Sequence, residues 1–184
     1  IAFTPDGKHV FVTCETNGDI FSIDSATFKV VGHFHVPPRP RNIAFLPDGS
    51  RAFVPSESSG QLNLVDPVTC KLLKTAQLPT GSRPMALLTD PSGKKLYVST
   101  GRGGTVLVID ALTLSPTNTI HVGKRPWGLA ISPDGHRLFV ANGPTNDISV
   151  IETSSEKEIA RIKAGKSPWG VTVVTVPTQA ATGL

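Results

Sequence analysis

Residues 129–142 read LAISPDGHRLFVAN, and the same pattern occurs three more times. Residues 1–14 read IAFTPDGKHVFVTC, residues 43–56 IAFLPDGSRAFVPS, and residues 87–100 LLTDPSGKKLYVST. Their prolines, Pro5, Pro47, Pro91 and Pro133, are separated by 42, 44 and 42 residues. A second apolar run ending in an acid follows each: DIFSID, QLNLVD, TVLVID and DISVIE. The acids, Asp24, Asp66, Asp110 and Glu152, repeat the 42, 44 and 42 spacing. Self-similarity at this period fixes the architecture before any single element is read.

Each unit holds four strands in order. A short apolar run, as in Leu129 to Ile131, is strand A. Pro-Asp-Gly (Pro-Ser-Gly in the third unit) makes a tight turn, since Pro presets φ and Gly accepts positive φ. Strand B follows, as in Arg137 to Ala141, and then a polar loop such as residues 142–146. Strand C, Ile148 to Ile151, ends in the acid, which is placed to accept hydrogen bonds from turn amides. Strand D, Ile159 to Lys163, is more polar, as suits an outer edge. Units of this length with four strands spell an all-β propeller of four-stranded antiparallel blades. The blades fall at about 1–42, 43–86, 87–128 and 129–170.

Composition agrees. Gly (17) and Pro (16) together make up about one residue in six of 184, which suits many short strands, and no window carries helical apolar spacing. The net charge is +4, but Lys and Arg are spread along the chain rather than gathered in a stripe, so nucleic acid is not the expected partner. No apolar run reaches the roughly 18 residues of a membrane span.

The unit RPWGLAISPDGHRLFVANGPTNDISVIE resembles the YVTN family of propeller repeats. The tetrapeptide reads Phe11-Val12-Thr13-Cys14, Tyr97-Val98-Ser99-Thr100 and Phe139-Val140-Ala141-Asn142, while the second unit departs with Pro55. The resemblance covers about residues 1 to 176. It implies a periplasmic or cell-surface protein, similar to surface-layer propellers and to those associated with quinone-dependent alcohol oxidation. It also brings haem-binding propellers and propeller lactonases into view.

Residues 166–174, KSPWGVTVV, match the start of the preceding unit, with Pro168 lying 42 residues after Pro126. The expectation is a closing inner strand at 170–175 followed by a polar tail, 177–184. The chain would then be the C-terminal part of a seven-bladed ring, closed by upstream blades. The alternative is a ring assembled from two copies.

In such a blade the B–C and D–A connections share one face, which carries seven cations against four acids. Arg39, Arg83, Arg125 and Ser167 are equivalent there. One step beyond the proline, Arg41, Met85, Trp127 and Trp169 are equivalent at the start of the innermost strand. With Lys124 these residues make the candidate site, a channel mouth fit for a small anionic ligand or a protein partner. The blander possibility is that Arg stems and Trp rings merely pack the rim.

No Gly-x-Ser-x-Gly elbow, paired metal motif or phosphate loop occurs, so a non-catalytic binding or scaffold role without cofactor is expected. Lactone hydrolysis and haem binding are the alternatives the resemblance offers. His33 and His35 share a strand face, but their equivalents (Thr75 and Gln77, Thr119 and His121, Arg161 and Lys163) are polar in every unit, which reads as a solvated outer edge rather than a metal site. Cys14 ends a B strand and Cys70 lies in a C–D turn on the opposite face, so free thiols are expected.

Overall fold

A computed structural model describes residues 1–174. It contains four antiparallel sheets of four strands, each in simple sequential order. The first blade is β1 (Ala2–Phe3), β2 (His9–Thr13), β3 (Asp19–Asp24) and β4 (Val30–His35). The second is β5 (Ala44–Phe45), β6 (Ala52–Ser56), β7 (Gln61–Asp66) and β8 (Lys71–Gln77). The third is β9 (Leu87–Thr89), β10 (Lys95–Ser99), β11 (Thr105–Asp110) and β12 (Pro116–His121), and the fourth β13 (Pro126–Ile131), β14 (Arg137–Asn142), β15 (Asp147–Glu152) and β16 (Lys157–Lys163). The one short helix among the described residues, a 3-10 turn at Gly101–Gly103, sits in a B–C loop.

The turns form as their residues dictate. Gly7, Gly49, Gly93 and Gly135 all have φ between 71° and 73°, and each donates its N–H to the carbonyl three residues earlier. The acid closing strand C caps the next turn: Asp110 Oδ1 accepts from the Leu112 and Thr113 amides at 3.1 and 2.7 Å, and Asp24 and Asp66 do the same. In the fourth blade Glu152, one methylene longer, takes the Ser155 hydroxyl instead.

Burial happens between blades rather than within them. Three apolar clusters join the four sheets, one per interface. At the first, Phe11 and Phe45 meet edge to face with centroids 5.3 Å apart. Phe3, the repeat equivalent of Phe45, has no neighbouring sheet on its side among the described residues, and it is 62% exposed against 8% for Phe45.

A second inter-blade device lies in the C–D turn. Its fifth residue is left-handed in every blade: Phe28, Cys70, Leu114 and Glu156, with φ from 51° to 64°. This conformation swings the side chain back toward the preceding blade. Leu114 is buried in the cluster shared with the second blade. Glu156 accepts hydrogen bonds from Lys95 (2.5 Å) and Asn118 (2.8 Å) of the third. The Cys70 sulfur lies over Gly32 of the first, so closely that a Cβ there would overlap it. Phe28 has no such partner among the described residues and is 83% exposed.

Residues 166–174 run past the fourth blade. The Gly128 N–H donates to the Trp169 carbonyl at 3.1 Å, which lays this segment against the start of β13. It forms no ladder, so over residues 170–174 the expected closing strand is backbone still lacking the B strand it would pair with among the described residues. Residue 175 and the tail 177–184 lie outside the described residues. No helix of the described residues is long and apolar enough to cross a membrane.

Because Leu114 and Phe28 occupy one repeat position in opposite environments, they make a paired test of the device. Leu114→Ala is expected to lower stability by about 2–5 kcal/mol in urea denaturation. Phe28→Ser should change it by no more than about 0.5 kcal/mol.

Candidate functional site

The D–A and B–C loops converge on a cleft of about 270 Å³. Of the expected residues, Arg39, Arg41, Arg83, Arg125, Trp127 and Trp169 line it, together with Glu57, Met85 and Arg102. Lys124 is exposed and does not line it. Arg39, Arg83, Arg125 and Ser167 each precede a proline and each is left-handed, with φ of 64°, 45°, 50° and 50°. Four non-glycine residues thus adopt a disfavoured conformation at the same repeat position. The chain turns sharply there and aims the side chain over the mouth.

The arginines are not equivalent electrostatically. Arg39 reaches Glu15 through Nε and Nη2 at 3.1 and 2.7 Å. Arg41 donates from Nη1 to Glu15 at 2.7 Å and from Nε to Glu57 at 2.6 Å. Arg83 approaches the other Glu57 oxygen from Nη2 at 3.0 Å, and Arg39 lies 3.5 Å from the first. Two carboxylates therefore engage three guanidiniums across two blade junctions. Counting charges by face misses this, because the acids of the same face sit directly against the arginines. Among the described residues Arg102 and Arg125 have no carboxylate partner, and they remain the free cations of the cleft.

Glu57 is the centre of the network, with its side chain 9% exposed. Burial opposes its ionisation, but hydrogen bonds from Arg41 and Arg83 and the charges of Arg41 and Arg39 outweigh that, holding its carboxyl below the usual glutamate value of 4.5. Repeat alignment pairs it with Glu15 and places Gly101 and Gly143 at the same position of the later loops, so position alone does not show which arginines it holds.

The aromatic side of the cleft comes from the two Pro-Trp-Gly triplets. The Trp127 and Trp169 rings lie 4.0 Å apart at 44°, and the Arg125 guanidinium stands 5.1 Å from the Trp127 centroid. Gly143 packs under Trp127, where a Cβ would come within 3.1 Å of the ring. Gly128 has to be glycine for a similar reason, since a Cβ there would stand 2.6 Å from the Gly170 Cα. Trp127 is thus occupied by protein contacts, while Trp169, 67% exposed, offers the open aromatic surface.

A family model described as lactonase, seven-bladed β-propeller, matches residues 1–173. The chain belongs to this family. No curated protein matches it. Among solved structures it is similar to hydrazine synthase of Kuenenia stuttgartiensis (24% identity, TM-score 0.82), covering 87% of this chain and 47% of that one. A putative 6-phosphogluconolactonase from Bacteroides uniformis aligns at 22% identity and TM-score 0.79, over 91% of this chain and 55% of that one. Dihydro-haem d1 dehydrogenase NirN in complex with DHE aligns at 23% and 0.75, over 89% and 36%. At these identities the likeness is one of fold, and the lactonase-family chain spans about half the length of such structures or less.

The other expected residues lie away from the cleft. His33 and His35 share one oxygen of Asp19, at 3.0 and 3.3 Å, and are half exposed or more on the outer edge. His33 also stacks on Phe21, with centroids 4.8 Å apart. No group of three or more His, Cys, Asp or Glu among the described residues is arranged to hold a metal. Cys14 and Cys70 are unpaired.

The Glu57 network makes a pH prediction. A carboxyl whose folded pKa is depressed stabilises the fold above its unfolded value and loses that contribution as pH falls through the folded one. Urea midpoints of the wild type should hold above pH 4.5 and fall below it, while Glu57→Gln starts lower at neutral pH and shows a shallower acid decline.

Proposed function

We propose that the mouth of this propeller binds an anionic organic ligand, with Arg102 and Arg125 meeting the charge and the open face of Trp169 meeting the body. The observation that carries this reading is the division among the arginines. Arg39, Arg41 and Arg83 are held by Glu15 and Glu57, whereas Arg102 and Arg125 line the same cleft with no carboxylate partner among the described residues. A charge-assisted hydrogen bond from such a guanidinium contributes about 1.5–3 kcal/mol. The proposal includes the periplasmic or surface setting expected of YVTN-like repeats.

Membership of the lactonase family favours a second reading, hydrolysis of a lactone whose acid product is itself anionic. That reaction needs a general base beside the attacking water. Glu57 is the one carboxylate lining the cleft among the described residues, and its oxygens and charge are committed to arginines, which makes it a poor base. Under this reading the four blades supply the anion-binding half of the site, and the base comes from outside them.

Trp127 and Trp169 are the only tryptophans of the chain, so its indole fluorescence reports on the mouth alone. Titration with 6-phosphogluconate is expected to give a saturable change that glucose does not produce. Arg125→Glu should weaken it roughly tenfold or more, as loss of a charge-assisted bond requires. An unsaturable response to 6-phosphogluconate, or one equal in Arg125→Glu, sinks the binding reading. Hydrolysis of glucono-lactone above the buffer rate, abolished in Arg125→Glu, would favour the enzymatic one.

A further inference from the structure

The opposite face of the propeller, where A–B and C–D turns emerge, carries a second cavity that the mouth reading leaves unexplained. It lies between the first and second blades and measures about 400 Å³, within the range of small-molecule sites.

Its origin is legible in the repeat. Four positions face the space between neighbouring blades on this side: the start of strand B, the middle of strands C and D, and the left-handed residue of the next C–D turn. At the second junction these are Arg51, Leu64, Lys74 and Leu114. At the third they are Lys95, Val108, Asn118 and Glu156. At the first they are His9, Ser22, Gly32 and Cys70, and every one of them is the smallest of its set. His9, Ser22 and Cys70 line the cavity, and Cys70 lies against Gly32. Interiors are otherwise close-packed, so four coincident reductions at one junction leave a hollow there.

The walls have a definite chemistry. Val31, Val68, Pro5 and Pro67 give apolar surface, and Asp6 and Asp48 bring two carboxylates. Both carboxyls are held below the usual aspartate range, Asp6 chiefly by the Thr4 hydroxyl and Asp48 chiefly by the Ser50 amide. Lys8 lies 3.8 Å from Asp6 with its side chain 75% exposed, and Arg51 acts on Asp48 from a distance. Burial raises the Cys70 thiol's pKa, and the negative charge of Asp66 pushes it further the same way. Apolar walls with two exposed carboxylates at their rim suit a positive charge on an apolar body.

We propose that this cavity binds a small organic cation, an ammonium group on a short aliphatic or aromatic body, with Asp6 and Asp48 meeting the charge. The site is independent of the mouth and of the anionic ligand proposed there.

Cys70 serves as the reporter of the cavity, and paired methanethiosulfonates of opposite charge are the probes. In each, the Cys70 thiolate attacks the sulfenyl sulfur, forming a mixed disulfide and releasing methanesulfinate. The raised thiol pKa slows both reagents alike and cancels in their ratio. Mass spectrometry should show the aminoethyl reagent modifying Cys70 at least roughly tenfold faster than the sulfonatoethyl reagent, a steering effect of the expected size. Cys14, outside the cavity, is the reference within the same molecule. The ratio should collapse toward that of Cys14 in Asp6→Asn/Asp48→Asn. In the unmutated protein, butylammonium should slow labelling of Cys70 where butyrate and butanol do not. A ratio equal to that of Cys14, labelling of Cys14 without Cys70, or equal protection by the three butyl compounds would each overturn the proposal.

Discussion

A four-stranded blade has two apolar faces and no means of covering either by itself. Everything else in this molecule follows from the need to place another blade against each. The buried Phe11, Leu62, Leu96 and Val140 belong to clusters that cross blade boundaries. Stability is therefore a sum over junctions rather than over sheets, the behaviour of a quasi-one-dimensional repeat. The same constraint explains why Phe3 and Phe45, with one sequence context, end in opposite environments.

The first two junctions are fastened in three layers and the third in two. Apolar side chains fill the middle. The left-handed residue of the C–D turn locks one face, and at the first two junctions Arg–Glu contacts tie the other. Glu15 leaves the first blade to meet the arginines entering the second, and Glu57 leaves the second to meet Arg83 entering the third. The mouth is thus partly structural. Its remaining cations, Arg102 and Arg125, have no carboxylate partner among the described residues, because Gly101 and Gly143 stand where the first two B–C loops bring Glu15 and Glu57.

Repeat spacing carried most of the fold. Turn glycines, capping acids and strand order all answered to the 42- and 44-residue period, because those features depend on local backbone chemistry that every unit shares. The mouth residues were legible as positions, since equivalence around a ring places them without coordinates. Their charge state was not. Pairing of Arg39, Arg41 and Arg83 depends on Glu15 and Glu57, which occur in only two of the loops and which alignment treats as exceptions. The cavity at the first junction was readable in principle, from the run of small residues at His9, Ser22, Gly32 and Cys70. Recognising it required knowing that these four positions, far apart in sequence, face one space. Lys124 lies outside the cleft for a simpler reason: it is exposed in the turn just before Arg125 changes the chain's direction.

The contact between Trp127 and Trp169 joins two parts of the chain with different standing. Trp127 belongs to a complete blade, and Trp169 to the segment that leaves it, held by ring contact, by the bond from Gly128 and by the Ser167 amide's bond to Asn146 Oδ1. A ligand resting on Trp169 therefore presses on the seam of the ring as much as on a binding surface. By reciprocity of linked equilibria, whatever free energy the docked seam adds to ligand affinity, the ligand returns to the docking of the seam. If the mouth binds as proposed, its occupancy and the docking of this segment are two readings of one equilibrium.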